Sequence, residues 1–194
     1  MTENANNEPQ GCPDTQLSQD SSNSASEASC GSEATPRTPA PTDWVDIPFG
    51  KNKGKSLPQV ALSDPDWIYW AYKNRIFKYP QDLTWQLADV LQKASRIILP
   101  PGRYPDSEVE YAYQDGSEKL ESVRVVASSE VSYGAVYRSP FLNLFAASQA
   151  APRDKMGGKI ILRAFKKYVL GNENAVLRRE LGEAFFSNSA NFAL

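Results

Sequence analysis

The sequence predicts an α+β fold: a small antiparallel sheet of three or more strands packed with four or five helices, preceded by a disordered tail. Three observations predict it. Apolar residues recur at helical spacing in two places, at Leu83, Leu87, Val90 and Leu91 and again at Ile161, Phe165 and Val169. Val109, Tyr111 and Tyr113 alternate with Glu108, Glu110 and Ala112, and Val123, Val125 and Val126 return after the turn signal Asp115-Gly116. Residues 1 to 43 hold almost no large apolar side chains and are rich in Ser, Asn, Thr, Pro and Glu. Such a segment cannot bury enough surface to offset its ordering entropy.

Order is expected to begin near Trp44. Val45, Ile47 and Phe49 alternate as in a short strand. Gly50 and Gly54 permit a tight turn among Lys51, Lys53 and Lys55. Residues 56 to 60 read as a helical turn. Asp64-Pro65 is a helix start, with Asp as N-cap and Pro at the first helical position, and the helix runs to about Lys73. A second helix is expected from about Asp82 to Ile97, stopped by Pro100-Pro101-Gly102. The hairpin of residues 109 to 126 follows, then a third strand over residues 131 to 137. Pro140 to Ser148 is apolar and fits either element. A helix carrying Ile161, Phe165 and Val169 ends at Gly171, and Asn172 or Asn174 caps a last helix with Leu177, Leu181 and Phe185. The divisions are therefore a tail (1–43), a small module (44–80) and an α+β domain (81–194), which suits a chain of 194 residues.

The net charge of −2 conceals an asymmetry. Residues 1 to 43 carry seven carboxylates against Arg37, a net of −6, so the rest of the chain carries +4. A basic body suits an anionic partner, DNA or RNA being the candidates. The chain has no histidine, which excludes a histidine triad, an imidazole base and a histidine metal site. Cys12 and Cys30 both fall in the tail, so no disulfide framework or zinc cluster is implied, and a reducing cytoplasm is the expected setting. No apolar run approaches the roughly 18 residues of a membrane span. The first residues lack the basic and apolar regions of a secretory signal, although a Ser-rich start also suits a specialised export signal.

Two basic features stand out. The stretch IPFGKNKGKSL places Lys51, Lys53 and Lys55 around two glycines, whose backbone N–H groups and neighbouring ammonium groups suit a phosphate. The Walker A spacing is absent. A solvated hairpin with lysines guarding an edge is the alternative. Directly afterwards Trp67, Tyr69, Trp70 and Tyr72 crowd into six residues, more rings than one core face can hold. At least one must reach the surface, and Tyr69 and Trp70 are the candidates to stack a base. The second feature is the helix bearing Lys159, Arg163, Lys166 and Lys167 on one face, opposite its apolar stripe. Arg153, Lys155, Arg178 and Arg179 add to it, and Asp154-Lys-Met-Gly-Gly-Lys159 leads into it.

Catalysis finds little support. Asp106 followed by Glu118 or Glu121 is faintly like a metal-dependent nuclease pattern, but Leu120 and Val123 stand where that pattern needs lysine. No cofactor is called for. Two carboxylates with Mg²⁺ assembled across the fold remain an alternative.

The stretch IPFGKNKGKSL with Asp64-Pro-Asp-Trp-Ile-Tyr-Trp70 resembles a small module of the pattern PFGKxKGKxL…DPxYLxW. That module is similar to the C-terminal module of exodeoxyribonuclease X-type proteins, found also in short phage and bacterial proteins, some described as virulence factors. Pro48, Phe49, Gly50, Lys51, Lys53, Gly54, Lys55, Leu57, Asp64, Pro65 and Trp70 fit it, within residues 46 to 75. In the exonucleases the catalytic carboxylates belong to a separate upstream domain, and here a polar tail stands upstream. The resemblance therefore implies an accessory role near nucleic acid, through the lysines and aromatics, and no nuclease activity. The reading is a non-enzymatic, nucleic-acid-associated protein of phage, mobile-element or bacterial origin. The alternatives are a protein-interaction or exported factor using its tail, and a metal-dependent nuclease.

Overall fold

The structure is a computed structural model that describes residues 44–77, 81–151, 154 and 156–194. The tail with its two cysteines, and Arg153 and Lys155, lie outside the described residues, as does the expected boundary at residue 80. The fold is α+β, with two small antiparallel sheets and six α-helices among the described residues, where four or five helices are expected. The helical turn expected at residues 56 to 60 forms as Leu57–Ala61 (α1), and a further short helix, Ala146–Ala150 (α4), forms from the apolar segment that fitted either element.

Local chemistry sets the first elements. Ile47 N donates to Lys55 O and Gly54 N donates to Ile47 O, both at 2.9 Å, closing a loop around a 3-10 turn at Gly50–Asn52. Gly50 and Gly54 both have positive φ, at 73° and 76°, which other residues rarely adopt. The expected strand at Val45–Phe49 does not form. It is reduced to a single bridge, Asp46 to Ser56, because the 3-10 turn bends the chain before a ladder can propagate. The helix Pro65–Lys73 (α2) has the expected bounds: the Asp64 side chain accepts from Trp67 N at 3.3 Å, and Pro65 gives up no hydrogen bond at the first position. Gln81–Ala94 (α3) stops short of Ile97, because Ile97–Ile98 (β1) pairs instead with Phe141–Leu142 (β5).

Ser107–Tyr113 (β2) is the centre of the three-stranded sheet, between Leu120–Ala127 (β3) and Val136–Ser139 (β4). Its register sets Val109 opposite Val125 and Tyr111 opposite Val123 on the core side. The third strand is shifted from the expected 131–137. Gly134 turns the chain at φ 85°, and Ser132 is drawn down to the Glu110 carboxylate, so the ladder starts only at Val136. Gly157–Ala164 (α5) continues as a π-helical turn, Phe165–Val169, and Gly171 ends it at φ 72°. The last helix, Arg179–Ser187 (α6), begins later than an asparagine cap at residue 172 or 174 would place it. The Asn172 side chain accepts from Asn174 N at 3.0 Å and closes a local turn instead.

One apolar cluster runs through these elements, from Ile47 and Leu57 through Ile68, Leu83, Val90, Tyr111, Leu142 and Ile161 to Phe165, Phe186 and Phe192. Each large side chain so buried contributes about 1.5–3 kcal/mol. No helix among the described residues is long and apolar enough to cross a membrane.

Candidate nucleic-acid interface

The basic helix α5 is held at its start by a carboxylate. Asp154 accepts from Met156 N and Gly157 N, each at 3.1 Å, and from Leu120 N of β3 at 3.0 Å, satisfying free donors of the helix and the strand together. The two glycines of Asp154-Lys-Met-Gly-Gly-Lys159 allow close approach. A Cβ at Gly157 would lie 2.4 Å from the Ala147 Cβ, and one at Gly158 would lie 2.7 Å from Asp66 Oδ2. Ile161, Ala164 and Phe165 face the core, which leaves Lys159, Arg163 and Lys167 exposed and Lys166 half-buried along the outer ridge. The π-helical turn covers the segment that holds Lys166 and Lys167, and such turns recur at functional sites.

Two grooves flank this ridge. One, of about 580 Å³, lies against β3, with Lys159, Arg163 and Lys167 on one wall, Glu121 on the other, and Val123 and Ile160 in its lining. The other, of about 480 Å³, is lined by Lys159, Arg163 and Lys166 together with Ser63, Leu177 and the carboxylate of Glu173, which also lines the first. Among the described residues Lys159, Arg163 and Lys166 have no ion-pair partner. Lys167 is paired with Glu173 at 3.6 Å and lies 5.2 Å from the Tyr168 ring centre; Tyr168 and then Glu173 push its ammonium pKa up.

The lysine turn is less free than its sequence implies. Lys51 is ion-paired with Asp64 at 2.5 Å, and half-buried Lys55 donates to Asn52 Oδ1 at 3.4 Å. Lys53 is exposed and has no partner among the described residues. Of the two rings singled out, Trp70 is exposed, whereas Tyr69 is half-buried, stacked on Phe145 at 6.0 Å with Lys73 Nζ 5.5 Å from its centre. Phe49 is an exposed ring that the sequence reading missed as a site residue. The 3-10 turn after it, visible in advance only as Gly50, swings it out of the alternation with Val45 and Ile47.

Both basic regions meet at the start of α2. Asp64 pairs with Lys51, and Ser63 beside it lines the groove of Lys159, Arg163 and Lys166. Asp66 lies against Gly158 and accepts a hydrogen bond from Ser148 Oγ. Burial pushes the Asp66 carboxyl pKa up, and Asp64 and Asp154 push the same way, opposed by the Ser148 hydroxyl and by Lys51. Among the described residues no group of three or more carboxylates or other ligands is placed to hold a metal ion.

No family model, no curated protein and no solved structure matches the chain.

Proposed function

We propose that this chain is a non-enzymatic protein associated with nucleic acid, and that the α5 ridge follows a phosphate backbone. The single observation behind the reading is the set Lys159, Arg163 and Lys166, cations with no ion-pair partner among the described residues, held on one helix face between two open grooves. A cation already neutralised by a carboxylate has little to offer a phosphate, whereas an unpaired one releases counterions from the nucleic acid when it binds. Lys53, also without a partner among the described residues, adds a further charge, and Lys51 contributes less because Asp64 holds it.

The test is a titration of labelled single-stranded DNA, duplex DNA and RNA with the full-length chain at several salt concentrations, with and without Mg²⁺. Binding should weaken steeply with salt, and no probe should be cleaved. Combining Lys159→Ala, Arg163→Ala and Lys166→Ala should reduce the log–log salt slope by about 2 on a single strand and by about 3 on duplex DNA, one phosphate contact per cation. Lys53→Ala should reduce it further, and Lys51→Ala less so. An unaltered slope in the triple variant would remove the ridge from the reading, and Mg²⁺-dependent cleavage would replace the reading with that of a nuclease.

A further inference from the structure

Four aromatic rings form an unbroken run beside the lysine turn. Ring centres are 5.6 Å apart from Phe49 to Phe77, 6.2 Å from Phe77 to Trp67 and 6.5 Å from Trp67 to Trp70. The ends are open, with Phe49 43% and Trp70 51% exposed, while buried Phe77 anchors the middle. Rings fixed by packing lose little freedom when a ligand settles on them. Cations bracket the run. Lys51 and Lys53 follow Phe49, and Lys73 stands one turn after Trp70. Trp67 follows Asp66 in the first turn of α2, and Asp66 touches Gly158 at the start of the basic helix.

We infer that this run is a base-stacking platform and that the nucleic acid it takes is single-stranded, an inference that rests on the nucleic-acid reading above. A paired and stacked base offers a protein only its edges in the grooves. A ring meets a base face without the cost of unstacking a duplex when the strand is unpaired. The exposed rings at Phe49 and Trp70 supply that contact, and Lys53 with the α5 ridge supplies the phosphate contact. Tyr69 takes no part, because Phe145 occupies its face.

The test uses the full-length chain with an oligothymidylate of about 15 nucleotides and a duplex of the same length. Phe49→Leu and Trp70→Leu should each weaken oligothymidylate binding by about 5- to 150-fold, leaving duplex affinity and the salt slope as they were. Trp70→Phe keeps a ring and should retain most of the affinity, which separates stacking from any loss of folding. If both leucine variants bind the oligonucleotide as the wild type does while the ridge variant loses slope, the platform is wrong and the ridge reading stands. If no nucleic acid binds at any salt concentration, both fall. Should Trp70→Leu change self-association in sedimentation velocity and leave oligonucleotide binding untouched, the run is an interface between copies and the inference is overturned.

Discussion

Glu110 sits on the central strand with no exposed side-chain surface, yet it faces two arginines. The register sets it directly opposite Arg124 on β3 and Arg138 on β4, and both guanidinium groups reach it, as does the Ser132 hydroxyl from the loop between those strands. The Ser132 hydroxyl, helped by both guanidinium groups, holds its carboxyl below the ordinary glutamate range, although burial alone would raise it. A depressed pKa contributes stability that is present above the unfolded-state value and is lost as pH falls through the folded-state value. Glu110→Gln should therefore cost about 1–3 kcal/mol in urea unfolding at neutral pH, a range kept modest because Arg124 is largely exposed. The difference from wild type should shrink through the acidic range. A constant difference would assign the loss to packing and not to charge. Alternation along the strand sets Glu110 on the face opposite Val109 and Tyr111. Nothing in it revealed that Ser132 would fold back over the carboxylate, since that contact spans 22 residues.

Among the elements, α5 depends most on close approach. An added methyl at Gly157 meets the Ala147 Cβ, and neither atom can swing aside. One at Gly158 meets the end of the Asp66 side chain, which can yield at the cost of its bond to Ser148. Gly157→Ala should lose about 2–3 kcal/mol and Gly158→Ala about 1 kcal/mol in thermal unfolding. Equal losses would mean that the whole helix shifts. Element by element, the sequence was legible where the determinants are local. Asp64-Pro65 caps α2 with two adjacent residues, and the apolar stripe of α5 places its basic face by periodicity. It was illegible where a distant partner decides. Ile97 leaves the helical pattern of α3 because β5 offers it a partner 45 residues later.

Across the body from residue 44 to 194, specific long-range contacts join its two ends. Trp44 Nε1 donates to Ser187 Oγ at 3.3 Å, Arg179 pairs with Asp46 at 2.8 Å, and Phe192 bridges to Ile97. They bring the start and end of that body into one core, and composition could not specify them. The candidate site was partly legible in the same sense: its cations were, but not the capture of Lys51 by Asp64 or the meeting of both basic regions at α2. Asp66, at that meeting point, has a consequence of another kind. A raised pKa means that the folded chain holds its proton to higher pH than the unfolded chain. The stability it lends is full below the ordinary aspartate value and is lost as pH rises through the raised one. A polyanion laid along the ridge adds negative potential near Asp66 and pushes its carboxyl in the same direction. Complex formation then draws protons from the buffer. Calorimetry at mildly acidic pH, in two buffers of different ionisation heat, should return different apparent enthalpies for the wild type and a smaller difference for Asp66→Asn. Equal heats in the wild type would set the bound polyanion beyond the electrostatic reach of α2.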